Sequence, residues 1–128
     1  MIAHLIDTDW MADFLKGRSQ AVQLLTSLAD EGIAISIITY AELYEGLLRE
    51  PNKARRTQLE ELLASVDVLP IDYEVARLFA AHRSDLRDQG LPIPDLDLFI
   101  AATALRHDLS LVSRDKHFDR VAGLKRSQ

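Results

Sequence analysis

The chain of 128 residues contains no cysteine. Disulfides and thiolate metal sites are therefore excluded, which accords with a reducing cytoplasm. No apolar run approaches the roughly 20 residues needed to cross a bilayer. The first residues, MIAHLIDTDW, carry acids where a secretory leader needs a basic start and a long apolar stretch. A soluble, cytoplasmic protein without a membrane partner is expected. Repeats, low-complexity tracts and linkers rich in proline, glycine or serine are also missing, so one domain over residues 1–128 is expected. Net positive charge is absent too, the formal value being −5. That weighs against non-specific nucleic-acid binding, which draws most of its affinity from a basic surface. It leaves open an enzyme whose acids gather in one pocket around a divalent cation.

What is present is ordinary globular material, 48% hydrophobic and 27% charged. The apolar run IAHLI reads as a buried strand broken by Asp7-Thr8-Asp9. WMADFLKG and SQAVQLLTSLADEG read as helical segments stopping at Gly17 and Gly32. IAISI at 33–37 is β-branched and reads as the second strand. A helix is expected from Thr39 to about Glu50, ended by Pro51, and another over 53–65. VDVLPI is a third strand, placed near an edge by Pro70. Residues 72–89 form a long amphipathic helix, and PIPDLDLFIAATALRH opens a buried one, with Asp95 as its expected cap. LSLV at 109–112 is the fourth strand; a DKHFDRV turn and a possible fifth strand at GLKRS follow. Strands alternating with helices predict an α/β fold, a three-layer α/β/α sandwich around a four- to five-stranded, mainly parallel sheet.

In such a sheet, ligands collect beyond the carboxyl ends of the strands. Asp7 ends the first strand, Glu42 lies in the helix after the second, Asp97 in the buried helix, and Asp115 follows the fourth strand. Each acid also has a plain structural reading. Thr39-x-x-Glu42 matches a capping box. Asp97 can answer a helix dipole, and Asp115 can start a turn. Together, however, crowded carboxylates repel unless one protonates or a cation neutralises them. Sites of oxygen ligands suit Mg²⁺ or Mn²⁺. Such ions bind phosphate oxygens and lower the pKa of a bound water, so the acids point to metal-dependent phosphoryl chemistry.

Four segments, LIDTDWMADFL, SIITYAELYEGL, PDLDLFIAATAL and LVSRDKHFDRV, resemble the four motif regions of PIN-domain ribonucleases, in particular VapC-type toxins of toxin–antitoxin pairs. The resemblance spans essentially the whole chain, with the motifs in order. It implies an endoribonuclease that uses Mg²⁺, or Mn²⁺ in its place, with Asp7, Glu42, Asp97 and Asp115 as catalytic metal-site acids. Asp119 is the alternative for the fourth, and Asp9 and Asp95 are surplus. Thr8 and Ser113 stand where small hydroxyl residues accompany those acids in the family; Thr39, beside Glu42, and Arg114, which next to Asp115 could touch a scissile phosphate, complete the expected second layer. An RNA substrate, a small VapB-like antitoxin and a homodimer built on the helix of Leu43, Leu47 and Leu48 are likewise implied.

Two other classes fit parts of the pattern. Asp7-Thr8-Asp9 has the D-x-D form of haloacid-dehalogenase-like phosphatases, although Trp10-Met11-Ala12 follows where a threonine is wanted. A receiver-like signalling module would use Asp72 and Lys116. His4 and His82 read as packed residues, His107 and His117 lie near element ends, and no pair has zinc spacing. The basic run Arg49, Lys53, Arg55 and Arg56 reads as a solvated helix face able to receive an RNA backbone.

Overall fold

The computed structural model describes residues 1–127. Five strands form one sheet: β1 (His4–Ile6), β2 (Ile33–Ser36), β3 (Asp67–Leu69), β4 (Ser110–Val112) and β5 (Arg126–Ser127). Their order is β3-β2-β1-β4-β5, and every pairing is parallel. Six helices connect them: α1 (Thr8–Leu15), α2 (Ser19–Leu28), α3 (Ile37–Arg49), α4 (Lys53–Ser65), α5 (Tyr73–Asp88) and α6 (Asp95–Arg106).

Side chains alternate across each strand, and that alternation creates two cores. Leu5, Ala34 and Leu111 face one side, where they pack with Leu86 of α5 and Leu98, Ala101 and Ala104 of α6. Their neighbours Ile6, Ile35 and Val112 face the other side, against Met11, Leu25, Leu43 and Leu59 from α1 to α4. The sheet is thus the middle of three layers, as expected. The near-continuous apolar sequence of β1 follows from this, because both of its faces are buried. On the α5–α6 side, Phe79 and Phe99 stack in parallel with centroids 3.8 Å apart.

Element boundaries moved where a polar side chain captured a helix start. The α3 helix begins two residues before Thr39. Ser36 is its N-cap, accepting the Thr39 N–H at 3.0 Å. Likewise Asp7 caps α1, so helix follows β1 with no loop. Asp95 is not the cap of α6: Pro94 occupies that position without a side-chain bond, and Asp95 is the first helical residue. The second segment divides into α2 and a 3-10 turn over Ala29–Glu31, and the DKHFDRV turn is 3-10 over Lys116–Arg120. The strand expected at VDVLPI shortens to Asp67–Leu69 at a sheet edge, ahead of Pro70.

Gly32 is the one glycine whose missing side chain the sheet requires. At φ +90° a Cβ there would lie 2.0 Å from the Met1 carbonyl oxygen. Its own carbonyl accepts the N–H groups of Ala3 and His4 at 3.0 and 3.1 Å, which seats the entrance to β1.

Strand order reverses beside β1. The chain moves outward from β1 through β2 to β3, then crosses by α5 and α6 to β4 on the other side. A crevice opens at such a switch, beyond the carboxyl ends of β1 and β4. Asp7 follows the first of these strands and Ser113 the second.

Candidate active site

Asp7 is buried, with 7% of its surface exposed. Oδ1 accepts the Thr8 N–H at 2.8 Å, and Oδ2 accepts the Ser113 hydroxyl at 2.6 Å. The Ser113 Oγ in turn accepts the Asp115 N–H at 3.0 Å. One hydroxyl therefore joins the end of β1 to the segment leaving β4. Burial raises the Asp7 pKa above the ordinary carboxylate value. The Ser113 and Thr8 hydrogen bonds oppose that rise, while the charges of Asp9 and Asp115 add to it.

The opening of α3 approaches from the other side. Thr8 Oγ1 donates to Glu42 Oε1 at 2.6 Å and lies 3.0 Å from the buried Thr39 Oγ1. Glu42 is therefore not the second half of a capping box, since Ser36 caps the helix. Its carboxylate is tied to α1 instead.

Asp97 sits in the first turn of α6, 29% of its side chain exposed. Its pKa is pushed up to about 6. Burial is the main cause; the nearby His117 opposes it, and the charges of Asp7, Glu42 and Asp115 raise it further. The charges of Asp7, Glu42 and Asp115 thus all reach Asp97. Asp119 does not join them, because Arg126 holds it by two bonds of 2.7 and 3.1 Å and keeps its pKa low. Asp95 is engaged by Arg83 at 2.8 Å. Asp9 is exposed in the first turn of α1.

Two residues have partners that the sequence did not reveal. The Arg114 guanidinium lies 3.7 Å from the centroid of the Trp10 ring and donates to Asp13 at 2.7 Å. Trp10 itself is buried, so packing accounts for it. His117 had been read only as lying near an element end. Its Nε2 is 3.2 Å from Asp97 Oδ2 and its Nδ1 3.2 Å from Asp115 Oδ1. One atom from each of Asp97, Asp115 and His117 lies within 4.8 Å of the others, a grouping able to hold a metal ion. The two-residue step from Asp115 to His117 was the available signal, and it is silent until the 3-10 turn sets the half-buried His117 ring between Asp97 and the exposed Asp115. The remaining histidines are elsewhere: His4 bonds Glu31 at 3.2 Å, His82 is half-buried on α5, and His107 caps the far end of α6.

The rival sites do not assemble. Asp72 caps α5 after the edge strand β3, accepts the Val75 N–H and pairs with Arg106. A receiver needs that acid at a central strand. Asp9 of the D-x-D is already helical, in the first turn of α1, and exposed to solvent.

The family model for the PIN domain matches residues 4–124. The chain belongs to the PIN-domain family. This PIN protein is 31% identical over 124 residues to Ribonuclease VapC5 of Mycobacterium tuberculosis, covering 94% of this chain and 89% of that one. It is 33% identical over 120 residues to Toxin FitB of Neisseria gonorrhoeae, with 87% and 86% covered. Among solved structures it is similar to VapBC2 from Rickettsia felis bound to a promoter DNA fragment, with TM-score 0.90, 25% identity and 98% of each chain covered. The PIN protein is thereby closely related to VapC-family toxins of type II toxin–antitoxin systems. No helix among its described residues is long and apolar enough to cross a membrane.

Proposed function

We propose that this chain is a metal-dependent endoribonuclease toxin of a toxin–antitoxin pair, built as one PIN-like domain over residues 1–128 and acting in the cytoplasm. The observation that carries the reading is the convergence of Asp7, Glu42, Asp97 and Asp115. Burial, and after it the charges of the other three, raises the pKa of the fourth carboxyl, that of Asp97, to about 6. Carboxylates so placed destabilise one another unless a cation shares them. Their oxygens are hard donors of the type that Mg²⁺ or Mn²⁺ takes. Asp7, Asp97 and Asp115 would hold the ion, and Glu42 would complete the set directly or through water. When bound, such an ion polarises a phosphoryl oxygen and makes water a better nucleophile near neutral pH.

The chain's own residues supply the rest. Ser113 and the Thr8 N–H aim the two oxygens of Asp7 apart. Thr8 and Thr39 orient Glu42. The bond from Arg126 to Asp119 supports Asp115 as the fourth acid.

An overall negative charge does not prevent the binding of RNA. A groove of about 770 Å³ is lined by Thr8 and Glu42 together with Lys16, Arg18, Arg49 and Arg55, the last bonded to Glu50, and these cations support the approach of a phosphate backbone to the acids. Relatives solved as VapBC and FitAB complexes support a small VapB-like antitoxin as partner. An antitoxin arginine would suit the acidic pocket. Of the α3 leucines expected at a homodimer interface, Leu43 and Leu47 are core residues, whereas Leu48 is exposed and, with Tyr44, supports a homodimer.

The test is cleavage of total RNA by the purified chain with Mg²⁺, with EDTA, and by Asp7→Asn. Cutting is expected only in the first case. Equal cutting in all three overturns the proposal.

A further inference from the structure

Of the groups at the crevice, His117 is the one that an all-carboxylate description leaves without a task. Its position is fixed from three sides. Its backbone N–H donates to Asp115 Oδ1 at 3.2 Å. Its ring meets Phe118 edge-on, centroids 4.6 Å apart at 67°, and Phe118 is buried in the core. Nδ1 lies 3.2 Å from Asp115 Oδ1. The other nitrogen, Nε2, is buried and makes no hydrogen bond, although Asp97 Oδ2 is 3.2 Å away. A buried nitrogen left in this way costs free energy unless something outside the chain satisfies it.

We propose that His117 Nε2 is a nitrogen donor to the ion held by Asp97 and Asp115, and that it tilts this centre towards Mn²⁺ over Mg²⁺. The inference rests on the metal site of the proposed function. With the ring proton on Nδ1, facing Asp115, Nε2 presents its lone pair on the side of Asp97. A ligating histidine commonly donates its second ring N–H to a carboxylate, which fixes both tautomer and ring orientation. Lone pair and carboxylate oxygen at this separation repel, and a cation shared between them removes the repulsion. Mg²⁺ takes oxygen donors and sheds water reluctantly. Oxygen donors suit Mg²⁺ and Mn²⁺ alike, whereas Mn²⁺, as a first-row transition ion, accepts imidazole nitrogen more readily than Mg²⁺, so one histidine among the ligands separates two ions that carboxylates alone distinguish poorly.

A competing account makes His117 a structural cation clamped between two acids, with no nitrogen on the metal. Pulsed electron paramagnetic resonance of the full-length wild-type chain loaded with Mn²⁺ separates the two. Directly coordinated nitrogen produces ¹⁴N modulation that changes to the ¹⁵N pattern in protein grown on ¹⁵N-histidine. Calorimetric titration of Mn²⁺ and Mg²⁺ into wild type and His117→Gln adds the selectivity. The variant is expected to lose the modulation and to bind Mn²⁺ at least about tenfold more weakly, a loss that even a supporting contact can reach. Mg²⁺ affinity should fall by a smaller factor. Bound Mn²⁺ without histidine coupling, or an equal loss for both ions, overturns the inference and leaves the carboxylate site standing. Mn²⁺ that binds equally to wild type and Asp97→Asn overturns the metal reading itself. The labelled wild-type spectrum decides the question even if His117→Gln does not fold.

Discussion

Replacing Asp97 by asparagine should make the metal-free protein more stable at neutral pH while removing its response to Mg²⁺. A carboxyl with a folded pKa of about 6 and an ordinary value of 3.8 binds its proton more tightly in the native state. Ionisation therefore costs native stability. The cost is absent below pH 3.8, grows as pH rises to about 6, and is complete above that. At full value the difference corresponds to about 3 kcal/mol. Since 29% of the side chain is exposed, solvent screening reduces this. We expect about 1–2 kcal/mol for Asp97→Asn in EDTA at pH 7.5. For a chain of this length that raises Tm by roughly 3–8 °C. Thermal unfolding between pH 5 and 8, with EDTA or saturating Mg²⁺, is the assay. Wild type in EDTA should lose stability from pH 5 to 7, whereas the variant should be flatter. Mg²⁺ at about a hundred times its dissociation constant should restore about 2.7 kcal/mol to wild type and much less to the variant. A variant no more stable than wild type in EDTA at pH 7.5 would refute the claim that burial, with the neighbouring charges, strains an ionised Asp97.

Asp7→Asn should lower RNA cleavage about a thousandfold, the worth of several kcal/mol of transition-state stabilisation, in single-turnover assays. Ser113→Ala breaks the 2.6 Å bond to Asp7 and the link to Asp115; urea unfolding should show a loss of about 2 kcal/mol, with cleavage also reduced. Gly32→Ala should cost about 1–3 kcal/mol from its φ of +90° alone, with the Met1 clash added, and urea unfolding measures it. Asp119→Asn should cleave RNA at close to the wild-type rate, because Arg126 and not the crevice holds that carboxylate.

The alternation of apolar strands and amphipathic helices was legible in the chain because each signal is local. Leu5 and Ile6 are both apolar because their two faces meet different helical layers, and β-branched Ile33–Ile35 behaves likewise. Acids at the ends of β1 and β4 could be located from strand endings alone. Choices among competing polar side chains were not legible. Ser36 displaced Thr39 as the α3 cap, which left Glu42 for Thr8. Asp115 and Asp119 are near neighbours in sequence, and what distinguishes them is tertiary: Arg126 holds the latter, whereas the former lies beside His117. Arg114 faces the indole of Trp10 because α1 passes beside it. The bond that closes the crevice joins residues 106 positions apart, Ser113 and Asp7. Local propensity acts over a few residues, so the sequence alone sufficed for the elements and their order. Which oxygens and nitrogens face one another depends on how α1, α3, α6 and the turn after β4 converge, and only the packed molecule decides that.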